Sequence, residues 1–213
     1  MVERQLRRRG IGDERVLTAM GAIPRELFVD ERQRRRAYAD SALPIGAGQT
    51  ISQPWVVAAI CEGLELAGHE RVLEVGTGSG YSTCVLALLA AEVISIERHR
   101  DLAESAREAT AVACRGKVEI RVGDGSRGAP DRAPFDAIAV HATAPGPPPS
   151  LLAQLAVGGR LVVPVSEPRA DMLTAFHRLA ERFDVHTGEG LERRMIAPCR
   201  FVPLVGEEGF TTE

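Results

Sequence analysis

Apolar positions divide the chain into two textures. From residue 70 onward they fall in short runs that alternate with helix-spaced stretches. RVLEV (71–75), 93–96, 118–122, 135–141 and GGRLVVPV (158–165) read as strands. Segment 81–90 reads as an apolar helix, and 101–113 as an amphipathic helix with Leu102, Ala106, Ala109 and Ala113 three or four residues apart. Another helix is predicted over 149–156, after the proline cluster 145–149, which reads as a rigid turn. Segment 172–204 reads as further strands with one long connection. Strand and helix alternating in this order predict a doubly wound α/β fold, a mostly parallel sheet with helices on both faces.

The first 66 residues read instead as helices and loops. Asp13 is placed to cap a helix whose Val16, Leu17 and Met20 share a face, with Gly21 ending it. Segment 41–53, with Pro44, Gly46 and Gly48, reads as a loop. Pro54 opens a helix with Val56, Ala59, Ile60, Gly63 and Leu64 on one stripe, which leaves Ser52 or Gln53 at its cap. The expected organisation is a single domain, 1–213, with a helical N-terminal part and substrate loop (1–66) and an α/β core (67–213). There are no internal repeats.

A net charge of −3 gives no global reason to bind nucleic acid or an anionic membrane. The basic runs at 7–9 and 34–36 read as solvated helix faces. The N-terminus is charged from the start and lacks the apolar region of a signal peptide. No apolar run approaches the ~18 residues of a membrane span. The four cysteines, Cys61, Cys84, Cys114 and Cys199, form no CxxC pair and no zinc-finger spacing with histidine. They read as reduced thiols without disulfides, in a cytoplasmic protein with no metal site.

Candidate chemistry begins at EVGTGSG (74–80), directly after the first core strand and opening a helix. Gly76, Gly78 and Gly80 allow close approach to the main chain, and the helix start behind Thr77 and Ser79 offers free amide donors. Glu74 just before the loop would repel a pyrophosphate but suits a ligand bearing an ammonium and a sulfonium. Glu97 lies 23 residues further on, at the end of the next strand, where an acid meets ribose hydroxyls. Asp124 follows the third strand beside Gly125. All three acids then stand at carboxyl ends of neighbouring parallel strands.

LEVGTGSGY (73–81) resembles the first motif of class I methyltransferases. Its flanks are more specific: RGIGDERVL (9–17), IPRELFV (23–29), LPIGAGQTISQP (43–54), GDG (123–125), APFDAI (133–138), QLAVGGRLVVPV (154–165) and RFVPL (200–204). In content and order these segments resemble the protein-L-isoaspartate O-methyltransferase family over nearly the whole chain. The resemblance implies a seven-stranded class I sheet with altered ordering of the last strands, S-adenosyl-L-methionine as cofactor, and methylation of the α-carboxylate of isoaspartyl residues in damaged peptides and proteins. It implies cofactor binding by Glu74, Gly76, Thr77, Gly78, Ser79, Gly80, Glu97, Asp124 and Gly125. Ser52 matches the family's active-site serine, and Gln49, Thr50, Ile51, Ser52, Val202 and Leu204 would bind substrate. The chain is expected to act as a monomer.

A carboxylate is already ionised at neutral pH, so this reaction asks for no general base. Ser52 would orient the carboxylate, or else merely cap the helix after Pro54. His141 stands where threonine is common in the family, Ser126 where tryptophan is, and Trp55 where tyrosine or histidine is. Segment 142–149 is unusually rich in proline and glycine. His141, without a visible partner, reads as a packed strand-end residue, with titration at the site as the alternative. These departures bear on substrate range. Competing readings are a methyltransferase dedicated to an aspartyl side chain of one peptide or protein, an inactive cofactor-binding module, and a nucleotide-dependent oxidoreductase.

Overall fold

The computed structural model describes residues 1–185 and 187–211. Its centre is a seven-stranded sheet whose strands follow from the short β-rich runs seen in the sequence. The first two strands of the chain lie outside that sheet: β1 (Leu43–Gly46) and β2 (Gln49–Ile51) pair antiparallel as a hairpin. The central sheet comprises β3 (Arg71–Val75), β4 (Glu92–Glu97), β5 (Lys117–Val122), β6 (Phe135–Val140), β7 (Leu155–Val165), β8 (Asp171–Arg178) and β9 (Leu191–Cys199). Its order is β5-β4-β3-β6-β7-β8-β9. The strands from β5 to β7 pair parallel, and β8 and β9 are added antiparallel in chain order. The chain winds outward from β3 to β5, then returns to place β6 on the other side of β3. That reversal makes a switch point between β3 and β6, where open α/β sheets carry their ligand crevice.

Helices α1 (Glu14–Ala22), α2 (Pro54–Gly63), α3 (Tyr81–Leu89), α4 (Arg100–Ala113) and α5 (Pro149–Ala153) flank the sheet. Successive strand residues point to opposite faces. Val72, Val93, Ala137 and Val162 pack in one core with Val16, Leu17, Ile60, Val85 and Leu86. Their neighbours Leu73, Ile94, Ile138 and Leu161 pack in a second with Leu151 and Leu152. Among the described residues, no helix is long and apolar enough to cross a membrane.

Several expectations from the sequence are corrected. Segment 41–53 contains the hairpin: Leu43 faces Ile51 and Pro44 faces Thr50, while Gly46, Ala47 and Gly48 turn the chain at positive φ. Helix α1 runs through Gly21. It stops at Ile23, which Pro24 pushes into the extended region, and Gly21 instead admits the side chain of Val2. Asp13 does cap α1, accepting from the amides of Arg15 and Val16.

Helix α5 is shorter than the predicted 149–156. The Gln154 side chain turns away to Ala129 N and Arg127 O, and Leu155 already pairs with Phe135. Cys84 and Cys114 are joined in a disulfide, so they are not reduced thiols; Cys61 and Cys199 are free. The bridge ties α3 to the residue that ends α4, an adjacency that a separation of 30 residues in sequence conceals.

Candidate active site

A cleft of about 810 Å³, open solvent at its mouth included, lies over the carboxyl ends of β3, β4 and β6. One half is built on the glycine loop. Gly76, Thr77, Gly78 and Ser79 line it, together with Ile96, Glu97, Arg98, His99 and Gly125. The other half is formed by Gln49 to Ser52 of the hairpin and by Val202 to Val205, with His141 and Ala142 between.

The glycine loop is fixed from beneath. Gly76 N–H donates to Ile96 O at 2.8 Å. Gly80, at φ +86°, caps α3 in the left-handed region. A Cβ there would come within 2.8 Å of Thr110 Cγ2 on α4. This glycine therefore lets two helices approach, and it does not line the cleft.

The three acids placed together by the sequence have separate positions. Glu97 lines the cleft. Its Oε2 accepts from Gly78 N and its Oε1 from His99 N, both at 2.9 Å, which braces the loop and leaves lone pairs free. Asp124 lies just outside. Oδ1 accepts from Ser126 N and Oγ, and Oδ2 from Glu207 N at 2.8 Å, so the side chain ties the C-terminal segment to the end of β5. Burial works against ionisation of Asp124, but these donors outweigh it and hold the carboxyl below its usual range.

Glu74 is fully buried beneath the loop. Ser82 and Thr83 hydroxyls donate to it at 2.5 Å and Ser95 at 2.6 Å. Ser95 also bonds Thr77 Oγ1, a residue of the cleft wall, at 2.5 Å. His141 Nε2 stands 3.2 Å from Glu74 Oε1 without hydrogen-bond alignment. Burial alone would raise the Glu74 carboxyl; His141 and the hydroxyl donors outweigh it and hold the group below the usual carboxylate range. His141 thus has a charged neighbour that its sequence did not show, and it forms part of the cleft wall.

Ser52 is half-buried at the cleft. The cap of α2 is Gln53, with Pro54 at the first helical position, so Ser52 does not serve as the helix cap. Its hydroxyl makes no hydrogen bond among the described residues. The opposite lip is held in register by Thr143. Thr143 N donates to Val202 O at 2.9 Å, and Leu204 N donates to Thr143 O at 2.7 Å. Leu204 O accepts from Phe210 N. The main chain that remains for a ligand on this lip is therefore Val202 N–H, Pro203 C=O and the N–H and C=O of Val205. The sequence did not single out His99, whose Nε2 is buried without a partner, or Tyr81, Ser82 and Val57. Tyr81 directly follows the glycine run and His99 is two residues past Glu97, so proximity to a motif was the available signal.

The family model for protein-L-isoaspartate(D-aspartate) O-methyltransferase matches residues 1–209. The chain belongs to this family. A protein-L-isoaspartate O-methyltransferase of Koribacter versatilis is 48% identical over 211 residues, spanning 99% of this chain and 91% of the relative. One of Methanoculleus marisnigri is 50% identical, spanning 100% and 93%. Among solved structures, a protein-L-isoaspartate O-methyltransferase from Plasmodium falciparum, in complex with S-adenosyl-L-homocysteine, superposes with a TM-score of 0.80 at 25% identity. The match covers 96% of each chain. The seven-stranded class I sheet is thus the fold of the isoaspartate methyltransferase family.

Proposed function

We propose that this chain transfers a methyl group from S-adenosyl-L-methionine to the α-carboxylate of isoaspartyl residues in damaged peptides and proteins. The observation that carries the reading is the two-sided cleft. A glycine loop braced by Glu97 forms one half, and an unengaged serine hydroxyl facing a main-chain lip forms the other, at the switch point of the sheet.

The residues present suit the cofactor. Glu97 keeps lone pairs for ribose hydroxyls, and the buried, unpartnered Nε2 of His99 lies beside it. Val75 and Ile96 supply an apolar wall for a base. The carboxylates Glu97 and Glu74 favour a cationic ligand and oppose a pyrophosphate. When bound, S-adenosylmethionine supplies an electrophilic methyl on a sulfonium.

The protein's part is orientation and exclusion of water. The isoaspartyl carboxylate, with a pKa near ~4, arrives ionised and needs no base. Ser52 donates a hydrogen bond to one of its oxygens, leaving the other to face the methyl donor. Val202 N–H and Pro203 C=O bind the flanking peptide through main-chain groups, which tolerates many sequences. The ester product then cyclises to a succinimide: its own following backbone nitrogen attacks the ester carbonyl, loses its proton, and methanol leaves as the acyl C–O bond breaks.

The test uses radiolabelled S-adenosylmethionine and two matched peptides, one with isoaspartate and one with aspartate. Base-labile label on the isoaspartyl peptide alone is expected. Ser52→Ala should lower kcat/KM for that peptide roughly tenfold or more, the loss of one hydrogen bond to a charged group. Equal labelling of both peptides, or none with either, would overturn the assignment.

A further inference from the structure

Arg25, in the IPRELF segment, is a large charged side chain with 0% exposure. Its Nε donates to Ala37 O at 2.8 Å and its Nη2 to Ser52 O at 2.6 Å. The guanidinium lies over the Tyr81 ring, 4.7 Å from the centroid. Nη1 is buried without a partner, and no carboxylate of the described residues stands within ion-pair distance. Burial pulls the group down to about 10, so it remains protonated at neutral pH. A buried charge without a counter-ion is costly, and two carbonyls and a ring face recover only part of the lost hydration. An apolar side chain of similar length would fill this space without that cost. The guanidinium is placed one carbonyl group behind Ser52, and both Ser52 and Tyr81 line the cleft. The acids Glu74 and Glu97 belong to the cofactor half; Arg25 stands behind the peptide half, where the incoming group is an anion.

We propose that Arg25 is a positioning residue for the substrate: it fixes the Ser52 main chain and its uncompensated charge draws the α-carboxylate to the serine hydroxyl. The incoming isoaspartyl carboxylate supplies the missing counter-charge. This rests on the reading of Ser52 above. It follows that the site selects a charged carboxylate over a neutral group of the same shape.

The experiment compares an isoaspartyl peptide with the same β-linked peptide carrying an α-carboxamide. Dissociation constants are measured by calorimetry with S-adenosylhomocysteine present, for the parent, Arg25→Lys and Arg25→Met. The parent should prefer the carboxylate on the order of tenfold or more. Arg25→Met should lose most of that preference, weakening the carboxylate peptide much more than the carboxamide, while binding S-adenosylhomocysteine within about twofold of the parent. Arg25→Lys should keep much of it. In turnover, the loss should fall on KM for the peptide.

Equal binding of the two peptides by the parent overturns the proposal and requires no variant to fold. So does an Arg25→Met protein that weakens both peptides alike, which would mark a purely structural prop. If the isoaspartyl peptide is methylated yet Arg25 variants keep the full preference, only this inference fails. If the isoaspartyl peptide is neither bound nor methylated, the reading of the site fails with it.

Discussion

The carboxylate of Glu74 offers a direct test of how the glycine loop is supported. Substitution by glutamine preserves shape and removes charge. Three hydroxyls now donate to a carboxylate that is 0% exposed. A hydrogen bond to a charged acceptor contributes about 1 kcal/mol more than a neutral one, so the three together lose about 3 kcal/mol. The amide nitrogen cannot accept, so one hydroxyl must reverse. Burying a neutral group in place of a charge returns part of this. A net loss of about 2–3 kcal/mol follows. For a chain of this size that corresponds to a fall in Tm of roughly 5–10 °C.

The pH dependence has a fixed sign. The folded carboxyl is held below its unfolded value, so the charge-dependent part of the stabilisation is complete above the ordinary carboxylate range. It is lost as pH falls through the lower folded pKa. The gap between parent and Glu74→Gln, measured by urea unfolding, should therefore be widest near neutrality and close in acid. Because Ser95 bonds both Glu74 and Thr77, affinity for S-adenosylhomocysteine should fall in the variant as well. A variant as stable as the parent at pH 7, or a gap that widens on acidification, would refute the reasoning.

Two further outcomes are expected. Alkylation of the denatured, unreduced protein should label two cysteines and, after reduction, four. Reduction should cost about 3–4 kcal/mol of stability, the loop entropy for a separation of 30 residues; labelling of four without reductant would overturn the bridge. Asp124→Ala should release the amides of Ser126 and Glu207, quicken proteolysis within 205–209 and raise KM for peptide more than for cofactor. Its own stabilising contribution, from a depressed carboxyl, is present above the ordinary aspartate range and lost as pH falls below it.

The parallel core was legible because its strands are short apolar runs punctuated by glycine or polar turns, and the glycine loop was legible by its position between strand and helix. The three acids show where such reading stops. Each stands near a strand's carboxyl end, yet the two-residue alternation of β3 puts Glu74 on the face covered by α3, where Ser82 and Thr83 meet it. Glu97 closes β4 and reaches the cleft, and Asp124 is drawn away by a segment more than eighty residues later. The hairpin was hidden because glycines at positive φ read as loop. Arg25 was hidden because nothing local in IPRELF distinguishes a buried arginine from a solvated one; its partners come from residues 37, 52 and 81. Family resemblance supplied the roles of Gln49 to Ser52 and of Val202 and Leu204, and the fold brings those two segments to one cleft.

The two walls on the peptide side come from opposite ends of the chain, residues 49–52 and 202–205. During synthesis the hairpin, the glycine loop and β3 to β7 leave the ribosome first, and the second wall last. A nascent or prematurely terminated chain that reaches only β8 lacks residues 202–205 and with them the second wall. If that lip holds the peptide as proposed, methyl transfer requires molecules whose translation has run past Leu204.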